Sequence, residues 1–248
     1  MRVGNLVNEF AKMRHLHVLL LSVVLFLVVC GVGLFAGVLS PDFDGASTSS
    51  WNALLLGIGS GFPLAAPLLL AVMASRLVDV EHIGGGWLAA ATSGITPGEL
   101  CRAKLLALGL LAAPVTIATS ALFVVVGEVA GIGAPWPAGR WLGQTLCLLV
   151  VNLAVLALHV VLAARIENQL IGIGLGLIGT VLALISSSLP TAISHLIPWG
   201  YYGLSAGAQY VDGELTGSSP DYPGVAGLAL VAGLAVSLLT RSFDRQEA

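Results

Sequence analysis

Six segments of the chain contain no charged residue, and each is about as long as a bilayer is thick. A membrane-spanning helix needs about 20 mostly apolar residues. The pattern therefore predicts helices at residues 18–39, 54–77, 105–126, 141–164, 170–187 and 225–240. We expect an all-α polytopic membrane protein, with residues 1–248 forming a single transmembrane domain of six transmembrane helices.

Residues 1–17 precede the first span and show a helical pattern of their own. The apolar side chains at helical spacing are Val3, Leu6, Val7, Phe10, Met13 and Leu16. The opposite side carries Arg2, Asn5, Glu9 and Lys12. Such a pattern predicts an amphipathic helix that lies in the membrane interface, with its apolar face toward the acyl chains. The alternative is a solvated tail.

Composition agrees with a membrane protein. Hydrophobic residues make up 57% of the chain and charged residues 9%, whereas soluble domains carry roughly 25% charged residues. The net charge of −3 and the lack of a basic run argue against nucleic acid as a partner. Cys30, Cys101 and Cys147 have no paired spacing, so we expect apolar packing and no metal site.

The cations are distributed unevenly between the two faces of the predicted domain. Arg140 is the exception among ten, because the other nine fall on one side: Arg2, Lys12, Arg14, Arg76, Arg102, Lys104, Arg165, Arg241 and Arg245. Cytoplasmic loops of membrane proteins keep an excess of Lys and Arg. The sequence therefore predicts a multi-pass protein of the cell (plasma) membrane with both termini in the cytoplasm.

The cytoplasmic segment 79–104 is far longer than a tight connection between neighbouring helices. Residues 87–92 can form a short helix after the flexible glycines at 84–86. Thr96, Pro97 and Glu99 then match an N-cap, a first helical position and a first-turn acid. We interpret the acidic residues and the short helix as a docking surface for another protein. The alternative is a set of helix-end charges that reach for the membrane interface.

The outer segment 188–223 is apolar over most of its length and rich in proline and aromatic residues. Irregular backbone at membrane depth is tolerated where it is buried against protein or a cavity. We therefore predict a re-entrant extracellular hairpin before the last helix, including Trp199 and Tyr201. Aromatic side chains at headgroup level explain the same residues more simply.

A few polar and small residues lie inside the predicted spans. Asn152 and His159 are seven apart and therefore share one face of the fourth helix, which makes them pathway candidates or interhelical hydrogen-bonding groups. Glycines four apart permit close helix approach, either between subunits or within the chain. These pairs are Gly57 with Gly61 and Gly172 with Gly176.

Enzymatic motifs are missing from the sequence. Neither of the two lysines, Lys12 and Lys104, follows Gly or precedes Ser or Thr, so the chain has no phosphate-binding P-loop and does not hydrolyse ATP alone. Acids are also missing from the middles of the predicted spans, which argues against an ion-driven carrier. An intramembrane enzyme would need a convergent polar set that the sequence does not offer.

Several motifs together resemble the permeases of ABC type-2 transporters. They are the acidic cluster at residues 79–82, Gly-Ile-Thr-Pro at 94–97, and Arg102 with Lys104 before the third span. The Pro-Trp pair within residues 197–201 resembles an element of the lantibiotic-immunity branch of that family. The likeness covers nearly the whole chain.

The resemblance implies an exporter subunit that moves an amphipathic or apolar substrate, such as a peptide antibiotic, a drug or a lipid-like molecule. Cytoplasmic ABC ATPase subunits would bind ATP and Mg, this chain would bind no cofactor, and a second permease copy, identical or a sister chain, would complete the transporter. The implied ATPase-coupling residues are Asp79, Glu81, His82, Trp87, Pro97 and Glu99. The candidate pathway residues are Trp51, Asn52, Asn152, His159, Trp199 and Tyr201. A non-transporting sensor or assembly subunit and an ion-driven secondary carrier are the alternatives.

Overall fold

The computed structural model describes residues 3–246 and the side chains of residues 4–244. Arg2 and the side chains of Val3 and Arg245, which enter the predictions above, lie outside these described residues. Within them the helices are α1 (Val3–His15), α2 (Val18–Val38), α3 (Thr48–Ile83), α4 (Gly86–Thr92), α5 (Pro97–Val129), α6 (Ala138–Arg165), α7 (Gln169–Leu184), α8 (Thr191–Ser194), α9 (Tyr201–Leu204) and α10 (Tyr222–Gln246). The strands are β1 (Ala208–Val211) and β2 (Glu214–Gly217).

Five of the six predicted spans are found as helices long and apolar enough to cross a membrane, namely α2, α3, α5, α6 and α10. The span predicted at residues 170–187 is the 16-residue helix α7. At 1.5 Å per residue, α7 is about 24 Å long, which is less than the roughly 30 Å of a hydrocarbon core. The sixth span therefore stays a prediction.

Two helices are much longer than the predicted spans. The helix α3 has 36 residues and α5 has 33, so α3 alone is about 54 Å long. The predicted loop at 79–104 is consequently mostly helical, and only residues 84–85 and 93–96 separate α3, α4 and α5. The predicted short helix is present as α4. The predicted cap is also present, since the Thr96 hydroxyl accepts a hydrogen bond from the Glu99 backbone nitrogen at 3.2 Å.

The helix α3 lies at the centre of the bundle, where α2, α5, α6 and α7 all pack against it. The contact with α2 is close because a Cβ on Gly57 would overlap the carbonyl oxygen of Gly33. Further along α3, a Cβ on Gly176 of α7 would overlap the side chain of Ala71. The predicted glycine pairs thus pack within the chain: Gly57, Gly61, Gly172 and Gly176.

Successive long helices run in opposite directions, which gives the bundle two distinct ends. One end carries α1, α4 and the α6–α7 connection, and we call it the α4 end. The other carries the α2–α3 and α5–α6 connections together with residues 185–221, and we call it the hairpin end. The charged residues discussed below separate along the same division.

The described chain is mostly helical, as the all-α prediction expected, but the segment predicted as a re-entrant hairpin also contains two short β-strands. Short helices and 3-10 turns lead into an antiparallel pair, with Ala208 opposite Gly217 in β1 and β2. The turn is formed by Asp212 and Gly213, whose φ angles are 53° and 86°. Two successive positive φ values match the right-handed twist of a two-residue hairpin.

The helix α1 is amphipathic as predicted, but its polar side faces the protein. Asn5, Glu9 and Met13, spaced four apart, are buried, whereas Val7 is exposed. The prediction assumed that charged side chains turn away from apolar surroundings. A buried charge is tolerated when it is paired and hydrogen-bonded, and Glu9 has two such partners.

Candidate functional site

Four charged side chains meet at the α4 end in a buried network. Lys104 of α5 is at its centre and is 0% exposed. Its Nζ donates to Oε2 of Glu9 at 2.8 Å, to Oε1 of Glu81 at 2.6 Å and to the carbonyl oxygen of Leu77 at 2.9 Å. All three donor hydrogens of the ammonium are therefore used.

Lys12 completes the network from the side of α1. Its Nζ donates to Oε1 of Glu9 and to Oε1 of Glu81, both at 2.7 Å. Burial lowers the pKa of Lys12, but its hydrogen bonds to the Glu81 and Glu9 carboxylates outweigh burial and raise the pKa above its usual value. Two lysines and two carboxylates give no net charge, and their charge-assisted hydrogen bonds offset the cost of removing them from water.

The network joins three helices that are distant in sequence. Glu9 and Lys12 are one turn apart on α1, Glu81 lies in the last turn of α3, and Lys104 lies two turns into α5. The helices on either side of α4 are therefore held to each other and to α1 by full charges. Breaking one member of a buried pair leaves an uncompensated charge, which resists separation of the helices.

The predicted coupling residues do not share one environment. Glu81 is only 4% exposed, because two lysines enclose its carboxylate. It therefore lies behind the surface, and its role in coupling stays a prediction. Asp79, His82, Trp87, Pro97 and Glu99 are all half-buried. The surface of this region is instead apolar, since Ile83 is 81% exposed and Leu88 is 72% exposed.

His82 links α4 to the rest of the bundle. The Trp87 Nε1 donates to Nδ1 of His82 at 3.2 Å, so Nδ1 acts as the acceptor. The His82 Nε2 then carries the hydrogen and bonds to the carbonyl oxygen of Ala163 in α6 at 3.0 Å. This chain of two hydrogen bonds connects α4 through α3 to the end of α6.

The end of α10 holds the start of α5. The Asp244 Oδ1 accepts a hydrogen bond from the Gly98 backbone nitrogen at 2.8 Å, and a carboxylate at a helix N-terminus is favourable. Arg102 donates to Thr240 Oγ1 at 2.9 Å and lies 3.8 Å from Asp244. Asp244 was not predicted as a functional residue. Its only signal in the sequence is its position directly after the apolar part of α10.

Asn152 lies in a hydrogen-bonded chain at the centre of the bundle. The hydroxyl of Tyr202 donates to Asn152 Oδ1 at 2.7 Å, and Asn152 Nδ2 donates to Thr116 Oγ1 at 3.0 Å. Residues from α5, α6 and α9 are connected in this way. The structure thus contains the interhelical hydrogen bonds that were the alternative to a pathway role for Asn152.

His159 and Trp199 form a second polar pair inside the bundle. His159 is 2% exposed, and the two ring centroids are 6.4 Å apart. Among the described residues, no group is within hydrogen-bonding distance of either His159 ring nitrogen or of Trp199 Nε1. Trp199 packs directly against Gly179 of α7, where a Cβ would overlap the indole.

The remaining pathway candidates lie nearer the hairpin end. The Trp51 Nε1 donates to the carbonyl oxygen of Ala134 at 2.9 Å. Asn52 accepts from Arg140 Nη1 at 2.8 Å and donates to the carbonyl oxygen of Leu215 at 3.4 Å. The bond to Leu215 holds the β-hairpin against α3, and the bond to Arg140 joins α6 to α3. All six predicted pathway side chains are buried in this conformation.

The bundle, its apolar helices and the charged α4 end are features of a membrane transport subunit. Comparison with protein families matches residues 5–183 to the ABC-2 family transporter proteins. The chain belongs to this family. Comparisons with curated proteins and with solved structures gave no match.

Membership of the ABC-2 family confirms the resemblance seen in the sequence, although it does not distinguish the lantibiotic-immunity branch. Members of this family are the membrane components of ABC transporters and associate with ABC ATPases. This ABC-2 protein is accordingly a multi-pass membrane protein. The family match ends near the end of α7, so it covers the charge network and α4 but not the β-hairpin or α10.

Proposed function

We propose that this ABC-2 subunit is the membrane-spanning permease of an exporter driven by separate ATPase subunits. It would move an amphipathic or apolar substrate, such as a peptide antibiotic, a drug or a lipid-like molecule, out of the membrane or cytoplasm. The partner would bind ATP and Mg, because the chain has no P-loop. The α4 end would be cytoplasmic, which places nine of the ten cations and both termini on that side of the plasma membrane.

The docking surface for the ATPase would be the exposed tip formed by the end of α3 and by α4. Ile83 and Leu88 expose most of their apolar surface there. Apolar residues in an interface gain free energy when a partner removes them from water. The half-buried Asp79, His82 and Glu99 border the tip and would form its polar rim.

The observation that carries the proposal is the buried charge network next to this tip. Glu81 is only two residues from Ile83, and it is held by Lys104 and Lys12. A displacement of α4 would therefore move α3, α5 and α1 together with it. In this role Glu81 transmits the movement of the ATPase without touching it.

A second permease copy would pack against α7. This helix is buried along its glycines but exposes an apolar face that includes Leu177, Ile178 and Val181. Because α7 is too short to span a bilayer alone, a second copy would cover it more readily than lipid. The substrate cavity would lie near this contact, and Trp51, Asn52, Asn152, His159, Trp199 and Tyr201 would meet substrate when the bundle opens.

The segment from Pro190 to Leu204 would enter the membrane from the outer side, as predicted for a re-entrant element. Trp199 reaches His159, which lies two turns of α6 beyond Asn152 toward the α4 end. Tyr202 reaches Asn152 itself. These contacts support insertion of the segment among α6 and α7, where its backbone is shielded by protein.

The test is a charged substitution at the tip with a matched control at the other end. Leu88→Asp should abolish co-purification of the ATPase and substrate-stimulated ATP hydrolysis, because an aspartate in the interface would be desolvated without a partner. Leu39→Asp is the control, since Leu39 is exposed to a similar degree at the C-cap of α2, on the hairpin end. Full ATPase binding and stimulation in Leu88→Asp would refute docking at this tip.

Transport assays separate the alternatives. A complex that hydrolyses ATP with the substrate bound but moves nothing would indicate a sensor or assembly subunit. Uptake or efflux that follows an ion gradient in the absence of the ATPase would indicate a secondary carrier. Peptide antibiotics should be tried first as substrates, because the Pro198–Trp199 pair resembles the lantibiotic-immunity branch.

A further inference from the structure

A cavity opens at the α4 end between α4, α5, α6 and α10. Its volume is about 430 Å³, and its walls include Trp87, Cys101, Arg165, Glu167 and Phe243. This volume is within the range of about 300 to 1,000 Å³ that is common for small-molecule sites. The cavity combines aromatic surfaces with one cation and one anion.

Arg165 is held at the rim of this cavity in a defined position. Its guanidinium carbon lies 5.0 Å from the centre of the Phe243 ring, and its Nη2 donates to Ser242 Oγ at 2.9 Å. Glu167 follows two residues later and lines the same cavity. A guanidinium and a carboxylate that line one cavity match a ligand that carries both an anionic and a cationic group.

Two apolar grooves flank α10 in the adjoining part of the bundle. One, of about 270 Å³, is formed with α5 and α6. The other, of about 220 Å³, is formed with α6 and ends at Pro198. Ala154, Ala157 and Ala232 line both grooves, so small side chains create the space on each side of α10.

The cavity and the grooves follow the same faces of the same helices. On α5, Pro97 and Cys101 line the cavity and Leu105, one turn further, lines a groove. On α10, Phe243 lines the cavity and Leu239, one turn back, lines the other groove. The polar cavity therefore leads into apolar surface toward the middle of the bundle.

We propose that this cavity and its two grooves form a binding site for one phospholipid from the leaflet at the α4 end. The cavity holds a zwitterionic amine-bearing headgroup, with the phosphate at Arg165 and the ammonium at Glu167. The acyl chains lie in the grooves on either side of α10. A free phosphate or a soluble headgroup would use only the cavity, whereas the apolar grooves at membrane depth favour a complete lipid.

The site also touches the candidate coupling region. Trp87 of α4 and its hydrogen-bond partner His82 both line the cavity. A bound headgroup packs against the Trp87 side of α4, whereas Leu88 in the proposed ATPase surface is exposed. The lipid thus supports the position of α4 and is a structural component of the subunit.

The direct test is native mass spectrometry of the full chain, purified in mild detergent and titrated with dioleoyl phosphatidylethanolamine. Gly233→Leu fills the groove shared with α5 and α6, and a Cβ at this position meets nothing within 4 Å, so the helix tolerates the change. Gly227→Leu on the same helix is the matched control, since its Cβ also meets nothing within 4 Å and it lines neither groove. We expect about a tenfold loss of bound lipid in Gly233→Leu and none in Gly227→Leu, a difference of about 1.4 kcal/mol.

Equal lipid retention in Gly233→Leu and in the unmodified chain would overturn the proposal. The headgroup assignment is tested separately, because Glu167→Gln should shift preference from phosphatidylethanolamine to phosphatidylglycerol and Arg165→Gln should weaken both. Unchanged selectivity in both variants would overturn that assignment. Displacement of the lipid by inorganic phosphate or glycerophosphoethanolamine would identify a simple anion site instead. No ATP hydrolysis is involved, so a failure here leaves the proposed function standing.

Discussion

The two ends of the bundle are held together by different kinds of interaction. At the α4 end, full charges connect the helices. Lys104 and Lys12 each pair with Glu9 and Glu81, and Asp244 bonds to the start of α5. At the hairpin end, neutral groups make most of the connections. Among the described residues, the one lysine or arginine at this end, Arg140, bonds to the amide of Asn52, and the one ion pair, His195 with Asp221, is partly exposed.

This difference bears on how each end responds to force. A buried ion pair is difficult to separate, because either partner alone is strongly destabilised in a low-dielectric interior. A neutral hydrogen bond contributes only about 1 kcal/mol, since water or another polar group replaces it. We therefore expect the α4 end to move as a unit and the hairpin end to exchange hydrogen-bond partners at lower cost, as the proposed opening of a substrate pathway would require.

The largest expected effect comes from removing the central cation. Lys104→Met leaves Glu9 and Glu81 with only Lys12, so two buried carboxylates share one cation. We expect the free energy of unfolding to fall by about 3–5 kcal/mol, measured as a lower thermal unfolding midpoint of the purified protein. Addition of Glu81→Gln should restore part of the loss, because it removes one of the unpaired charges.

Lys12→Met is the internal comparison for Lys104→Met. Lys12 contacts the same two carboxylates but is one-third exposed, so solvent screens its charge. We expect a loss of at most about 1 kcal/mol. Equal losses for the two lysine variants would show that burial does not control the strength of this network.

The neutral hydrogen bonds of Asn152 at the centre of the bundle should contribute less to stability than Lys104 does. Asn152→Leu leaves the Tyr202 hydroxyl without its acceptor and should lower the free energy of unfolding by about 1–3 kcal/mol. Tyr202→Phe removes the hydroxyl itself and should cost less. Double substitution should cost little more than Asn152→Leu alone, and additive losses would mean that the two side chains do not interact.

The sequence was sufficient to predict the long helices. Spans can be recognised from charge-free runs because lipid tolerates few charged groups. The helix α4 and the Thr96 cap of α5 follow from local signals near Gly84 and Pro97. The length of α7 was overestimated, since a run of serines ends the helix although it carries no charge. The Asp212–Gly213 pair is a recognisable signal for a two-residue β-turn, but the predicted re-entrant hairpin was not divided into strands.

The site was predicted only in part, because its key contacts are between residues far apart in sequence. Lys104 was interpreted as an interfacial cation, and Glu81 as an exposed acid. Each assignment is reasonable for a residue considered alone. The pairing depends on α1 folding back against α3 and α5, which places Glu9 beside a lysine 95 residues away. No local pattern reveals such a contact.

Within the hairpin end, the β-turn provides a more local test. Gly213→Val places a β-branched residue at a φ of 86°, a conformation that costs a side chain about 1–2 kcal/mol. We expect faster hydrogen exchange in β1 and β2 with an unchanged unfolding midpoint for the bundle. A lower midpoint would show that the hairpin is a cooperative part of the fold.

The smallest expected effect is a pH dependence at the hairpin end. The His195 ring bonds to the Thr191 carbonyl oxygen at 2.8 Å and to the Asp221 carboxylate at 2.7 Å. Hydrogen bonds to these two groups raise the pKa of His195 above its usual value. Two acceptors around one ring are both satisfied only by the imidazolium form.

Because the pKa of His195 is raised, its hydrogen bonds to Thr191 and Asp221 stabilise the fold fully at pH values below the pKa of this histidine in the unfolded chain. The contribution disappears as pH rises through the pKa of His195 in the folded protein. Because His195 and Asp221 are about one-third exposed, we expect no more than about 1 kcal/mol. Unfolding midpoints of the unmodified chain and of His195→Gln should differ near pH 5 and converge near pH 9, values that bracket the usual histidine pKa of about 6.5. A constant difference across this range would show that the pair is a neutral hydrogen bond, and the hairpin end would then depend even less on charge than the comparison with the α4 end suggests.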